Sequence, residues 1–331
     1  MIPPIVVPIF RIGLVVLALS LALAPLHAEA QPRKTPRIGF LSWGACPGPE
    51  SVFGLALRDL GYTWGRTIQL ICRSGEGNHD RLAQAATALG AENLDVIAAL
   101  THVTAYAARR ATSSTPIVMI ASGDPVRTGL VASLNRPGGQ VTGLTYYATD
   151  LVAKRMQLLK EMVPGITGVA ALVNPASAHV FGVYEEDAEG AARVLGLRLV
   201  KAPVTEARDL DRVIEAVAKD KAQALLVLTD PMLGAEARRI AELTALHRLP
   251  AMYWAPWFVE AGGLAAYSAD YDAMVRRAAY YVDRIIKGAR PADLPVEQPT
   301  KFQLAINLKT AKALSLTVPQ SLLLRADKVI E

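Results

Sequence analysis

The feature that most constrains this chain is a regular alternation of short apolar runs with amphipathic stretches, which runs through it in two blocks. In the first block, residues 37–41, 67–72, 95–100, 116–121 and 141–145 read as strands. Residues 50–60, 80–89, 103–111 and 129–134 read as helices, with Gly61 and Gly90 placed as helix-ending glycines. The second block begins at Leu151. Helices are expected over 151–162, 180–195, 210–218 and 235–247, and strands over 168–173, 197–203, 224–228, 249–254 and 264–267. Strands that alternate with helices of this kind form parallel sheets covered on both faces. Two such blocks predict an α/β protein of two doubly wound, Rossmann-like lobes.

The tail departs from this rhythm. Residues 271–287 carry Tyr271, Met274, Val275, Ala278, Ala279, Val282, Ile285 and Ile286 at the spacing of one helical face. Pro291, Pro295 and Pro299 make the following segment extended. A strand is expected over 302–307 and a helix over 308–314. The chain has no Gly/Ser linker, so the lobes should be joined by several ordered crossings near Thr145, Ala269 and Thr300. The expected division is 36–144 plus 270–300 for one lobe and 145–269 plus 301–331 for the other. Such crossings form a hinge that lets lobes close on a ligand.

Residues 1–30 read as an address rather than as structure. Arg11 precedes an apolar core of about a dozen residues, and Ala28-Glu29-Ala30 is an A-x-A cleavage pattern. A bilayer span needs about twenty residues. A signal peptide cleaved after Ala30, and hence an exported, periplasmic protein, is expected.

Composition narrows the function. With 52% hydrophobic and 20% charged residues the chain is no disordered polymer. The net charge of +5 is spread through the sequence, with no run of five basic residues. A nucleic-acid footprint would be a concentrated patch, so no nucleic-acid partner is expected. Gly75-Glu76-Gly77 has Asp80 where a dinucleotide fingerprint needs its third glycine. There is no P-loop and no G-x-S-x-G elbow. None of the five histidines has a second His or Cys at metal-ligand spacing. No metal, no cofactor and no enzymatic activity are expected.

What recurs is polar chemistry at the carboxyl ends of the expected strands, where open α/β sheets bind ligands. Ser42, Thr101, His102, Ser122 and Asp124 hold such positions in the first block; Asn174, Asp230, Trp254 and Tyr267 hold them in the second. Asp124, Asn174 and Asp230 each precede a proline, which also suits a helix cap; both roles stay open. The aromatic residues Trp43, Tyr146, Tyr253, Trp254 and Trp257 fit either packing or stacking on a ligand. Cys46 and Cys72 follow and end neighbouring strands, and export favours their oxidation to a disulfide; two separately buried thiols are the alternative.

Several longer stretches carry a family likeness. They are Arg37-Ile38-Gly39-Phe40-Leu41, Ser122-Gly123-Asp124-Pro125-Val126, and the run from Gly129-Leu130-Val131 through Asn135-Arg136-Pro137-Gly138-Gly139 to Val141-Thr142-Gly143. Gly262-Gly263-Leu264, Leu294-Pro295-Val296-Glu297-Gln298-Pro299-Thr300-Lys301-Phe302 and Ile306-Asn307-Leu308-Lys309-Thr310-Ala311-Lys312-Ala313-Leu314 complete the set. Over residues 36–331 the chain resembles the ABC-transporter substrate-binding proteins that include tryptophan- and phenylalanine-binding members. Ser268, where the family often has glycine, and Cys46 depart from the pattern. The resemblance implies a type I periplasmic-binding-protein fold with three crossings. It also implies capture of a small solute and its delivery to an ABC permease in the inner membrane, but ligand identity does not carry over. The hydroxyls, carboxylates and aromatic residues at the strand ends favour an amino acid or aromatic acid, and a monomer is expected. An exported receptor for a sensor kinase or chemoreceptor, and an α/β enzyme, are the other readings.

Overall fold

In the computed structural model, which describes residues 35–146, 149–220 and 222–331, the first apolar runs form a five-stranded sheet. β1 (Arg37–Ser42), β2 (Gln69–Ser74), β3 (Val96–Thr101), β4 (Ile117–Ser122) and β5 (Val141–Thr145) lie in the order β2-β1-β3-β4-β5. Every pair is parallel. Helices α1 (Val52–Asp59), α2 (His79–Gly90) and α3 (His102–Ala111) are interleaved with the strands. Side chains alternate between faces: Leu41, Ile97 and Met119 pack with Leu82, Leu89 and Val103 of α2 and α3, while Ile38, Phe40 and Val118 pack with Phe53 and Leu57 of α1. Both faces are covered, which is why these strands read as continuous apolar runs.

The second sheet contains β6 (Gly168–Val173), β7 (Arg198–Pro203), β8 (Ala224–Val227), β9 (Ala251–Tyr253), β10 (Ala265–Ala269), β11 (Phe302–Asn307) and β12 (Lys328–Ile330). Their order is β12-β11-β10-β9-β8-β6-β7. Around it lie α4 (Thr149–Met162), α5 (Ala178–Leu195), α6 (Leu210–Lys219), α7 (Pro231–Ala235), α8 (Ala237–Leu246) and α9 (Pro256–Glu260). The long helix α10 (Tyr271–Ile286) follows β10, while α11 (Leu308–Ala313) and α12 (Gln320–Leu323) sit near the end of the chain. The fold is two α/β lobes built on mostly parallel sheets.

The chain leaves the first sheet after β5 and returns after β10, where Asp270 caps α10 by accepting from Ala273 N–H. The apolar face of α10 then closes the core of the first sheet: Met274, Val275, Ala278, Ala279, Val282 and Ile285 are buried with Ile38, Phe40, Val96 and Val118. The next passage is pinned along β5, with Glu297 N–H donating to Gly143 O and Thr145 N–H donating to Glu297 O, both at 3.0 Å. At this edge Gly143 has φ +123°, and a Cβ there would stand 2.1 Å from Met119 O. Only glycine fits, beside the register irregularity between Met119 and Ser122 where β5 departs from β4.

Three features differ from the reading of the sequence. Residues 129–134 form no helix: Gly129 has φ +69°, Val131 N–H donates to Pro125 O and Ala132 N–H to Pro137 O, and these bonds commit the segment to turns. β11 runs antiparallel to β10, because the chain enters it from the opposite end after its excursion through α10. The short elements α9, α12 and β12 were too brief to show a period. Residues 1–30, read above as a signal peptide, lie outside the described residues. Among the described residues no helix is long and apolar enough to cross a membrane.

Candidate ligand-binding site

Because the strands of the first sheet and β6 to β10 of the second run parallel, their carboxyl ends gather the loops that follow β1, β3, β4, β8 and β9. Between them lies a cavity of about 250 Å³. From the first lobe its wall takes Trp43, Thr101, His102 and Gly123; from the second it takes Tyr184, Thr229, Trp254 and Trp257; Tyr146 and Tyr271 come from the crossings. A larger depression of about 910 Å³, lined by Arg109, Arg110 and the 129–141 loop, is open to solvent and away from the strand ends. The cleft is the site that the fold itself builds.

Several wall residues are held from behind. Trp43 is 6% exposed, and its loop is tied to β2 by the Cys46–Cys72 disulfide. Gly77 N–H donates to Trp43 O at 2.9 Å, Ser42 Oγ–H to Ala45 O at 2.8 Å, and Ser74 Oγ–H to Gly44 O. Thr101 caps α3 in a capping box with Thr104. His102 is buried, with Nδ1 2.7 Å from Ser122 Oγ. Tyr146 O–H donates to Trp254 O at 2.6 Å, joining the first crossing to the end of β9. The Trp254 indole meets Trp257 edge to face at 5.1 Å and Tyr146 at 6.2 Å.

The chemistry of the wall is aromatic and rich in donors. Among the described residues it carries no carboxylate, lysine or arginine. Burial raises the phenol pKa of Tyr146 and of Tyr271, so both stay protonated. Trp43 Nε1, Trp254 Nε1 and Thr229 Oγ1 are buried without a hydrogen-bond partner, and all three belong to this wall. Buried polar atoms are normally paired, so this cluster asks for acceptor atoms from an occupant. Among the described residues no group of three His, Cys, Asp or Glu is placed to hold a metal.

The model of the family described as ABC transporter substrate binding protein matches residues 50–330. The chain belongs to this family. A relative named tyrosine-binding protein, from Clostridioides difficile (strain R20291), is 25% identical over 79% of this chain and 74% of its own length. Among solved structures, a conserved domain protein from Vibrio cholerae is 27% identical, with a TM-score of 0.83 over 89% of this chain and 100% of that one. An ABC domain in complex with L-Trp from Streptococcus pneumonia shares the fold, with a TM-score of 0.83 at 24% identity over 90% and 100% of the two chains.

Of the nine residues singled out in the sequence, Thr101, His102 and Trp254 line the cavity of this substrate-binding protein. Ser122 stands behind His102. Ser42 braces the Trp43 loop. Asp124 Oδ1 accepts from Val126 and Arg127 N–H, both at 3.0 Å, and so caps a turn. Asp230 is saturated: Oδ1 accepts from Met232 and Leu233 N–H, and Oδ2 accepts from Asn174 Nδ2 and Ser177 Oγ. Asn174 Oδ1 accepts from Ala176 N–H. The Tyr267 ring stacks on Phe302 at 6.0 Å, off the cavity wall. Tyr184 and Tyr271 were not anticipated as wall residues, since helical spacing assigns them to a packed face.

Gly234 makes room for one wall. A Cβ there would stand 2.8 Å from Trp254 Cζ2 and 3.3 Å from Cη2, so Gly234→Ala must displace the indole that forms this part of the wall. Forcing a methyl group into a packed site costs about 1–3 kcal/mol. Titration calorimetry is expected to show affinity reduced by about tenfold with the fold intact; unchanged affinity would place the Trp254 ring outside the ligand's reach.

Proposed function

We propose that this chain is an exported solute-binding protein that captures a small aromatic molecule between its lobes and presents it to an ABC permease. The observation that carries this reading is the cavity at the carboxyl ends of both sheets, walled by Trp43, Tyr146, Tyr184, Trp254, Trp257 and Tyr271 with unpartnered donors among them. Aromatic walls cover a planar apolar body, and their polar edges orient it. The names of the relatives, one tyrosine-binding and one bound to L-Trp, support the same class. Export with cleavage after Ala30 rests on the leader pattern; N-terminal sequencing of the mature protein tests it, and retention of Met1 would refute it.

The working cycle is a hinge closure. Passages after β5, after β10 and before β11 connect the lobes, and closure brings the two halves of the wall together around the ligand. A thermal-shift screen of aromatic amino acids and aromatic acids tests the binding. A ligand at about 100 times its dissociation constant adds about 2.7 kcal/mol of stability. No shift with any of these compounds, while sugars or polar amino acids do shift the melt, would overturn the aromatic reading.

A surface pair across the cleft mouth contributes to closure. Arg127, beyond β4, meets Glu186 of α5 at 2.6 Å, with Asp187 at 4.0 Å. Both partners of the shorter pair are well exposed, so it is worth about 0.2–1 kcal/mol. Arg127→Ala is expected to weaken ligand binding by about two- to fivefold at low salt and by less at high salt. An equal effect at both ionic strengths would remove the electrostatic explanation.

A further inference from the structure

Arg155, in the second turn of α4, is 1% exposed and the largest of the fully buried side chains. Its Nε–H donates to the carbonyl of Tyr267 at 2.7 Å, and its Nη2 is buried with no partner. Among the described residues no carboxylate pairs with it. Burial pulls the guanidinium below its ordinary pKa, and Tyr146 and Tyr184 are the foremost groups close enough to oppose that pull. A buried cation without an anion is costly and is seldom retained without a use.

Tyr146 and Tyr184 are also cavity wall, so the charge neighbours residues that line the ligand site. The free donors on that wall point to the same need. The indole nitrogens of Trp43 and Trp254 can only donate, and both lack a partner. The site offers hydrogens and a positive field.

We infer that Arg155 sets the charge of the ligand: the cleft takes an aromatic compound bearing a carboxylate, and Arg155, acting through Tyr146 and Tyr184, favours it over the matching amine. This rests on the aromatic reading of the cleft. Arg155 does not line the cavity, so it is a positioning residue, and its signature is charge preference rather than affinity alone.

The probes are indole-3-acetate and tryptamine, which share a ring and differ in charge, titrated by calorimetry into the full mature chain. The wild type is expected to bind the acid at least about tenfold more tightly than the amine. Arg155→Met, which keeps length and loses charge, should bring the two affinities within about threefold of each other, while Arg155→Lys should keep part of the preference. A merely structural role would lower both affinities alike and leave their ratio unchanged. Equal binding of both probes by the wild type, or an unchanged ratio in a folded Arg155→Met, overturns the inference and leaves the aromatic site standing. If the wild type binds neither probe, the aromatic reading fails and the inference with it. If Arg155→Met does not fold, Tyr184→Phe removes one of the two hydroxyls between charge and ligand; a reduced ratio supports the inference and an unchanged one refutes it.

Discussion

Reduction of the Cys46–Cys72 bridge is expected to lower the stability of the protein by about 3 kcal/mol. The two cysteines are 26 residues apart, and closing a loop of this length removes about that much chain entropy from the unfolded state. In a protein of this size the loss should appear as a fall of roughly 5 °C in the melting temperature on adding reductant. The effect reaches the ligand as well. The bridge ties to β2 the loop that carries Trp43, and the other ties include hydrogen bonds of Ser42, Ser74 and Gly77 and the contact of the Trp43 ring with His79. Reduced protein should therefore bind ligand more weakly even well below its melting temperature. Two titratable thiols in the denatured, unreduced protein, or a melt indifferent to reductant, would refute the account.

Trp254→Ala should be the most damaging single substitution for binding, at a cost of about 2–4 kcal/mol, or roughly 30- to 1,000-fold in affinity. The indole provides a large share of one wall and holds its neighbours by edge-to-face contacts with Tyr146, Trp257 and Phe258. The backbone link that matters for the fold survives, because Tyr146 donates to the carbonyl of Trp254 and not to its ring. Circular dichroism should thus report a native fold while calorimetry reports little binding. Affinity within about threefold of wild type in a folded variant would move the ligand away from this wall.

How much of this could be read from the residues differs from element to element, for physical reasons. The strands were legible because sheets covered on both faces demand unbroken apolar runs, and β1, β4 and β6 are such runs. Thr101, His102 and Trp254 stood out because they end strands. Asp124, Asn174 and Asp230 also sit near strand ends, but an acid or amide before proline serves a cap or a ligand equally well in sequence. Only the count of bonds on each oxygen separates the roles, and Asp230 has none to spare. Tyr184 and Arg155 were invisible for a different reason. Each lies within a helix among residues of ordinary amphipathic spacing, and what buries Arg155 or turns Tyr184 to the cavity is the approach of elements far away in the chain. Residues 129–134 carry apolar helix formers and so resemble a helix in sequence; the positive φ of Gly129 and the bonds to Pro125 and Pro137 commit them to turns.

The chain has four tryptophans, and three of them, Trp43, Trp254 and Trp257, border the cavity. Three of its four indoles thus stand within touching distance of whatever enters the cleft. The protein is its own optical reporter: occupancy would be written into intrinsic fluorescence without a dye, a tag or an introduced residue, and a ligand could be followed arriving and leaving on the timescale of the closure itself.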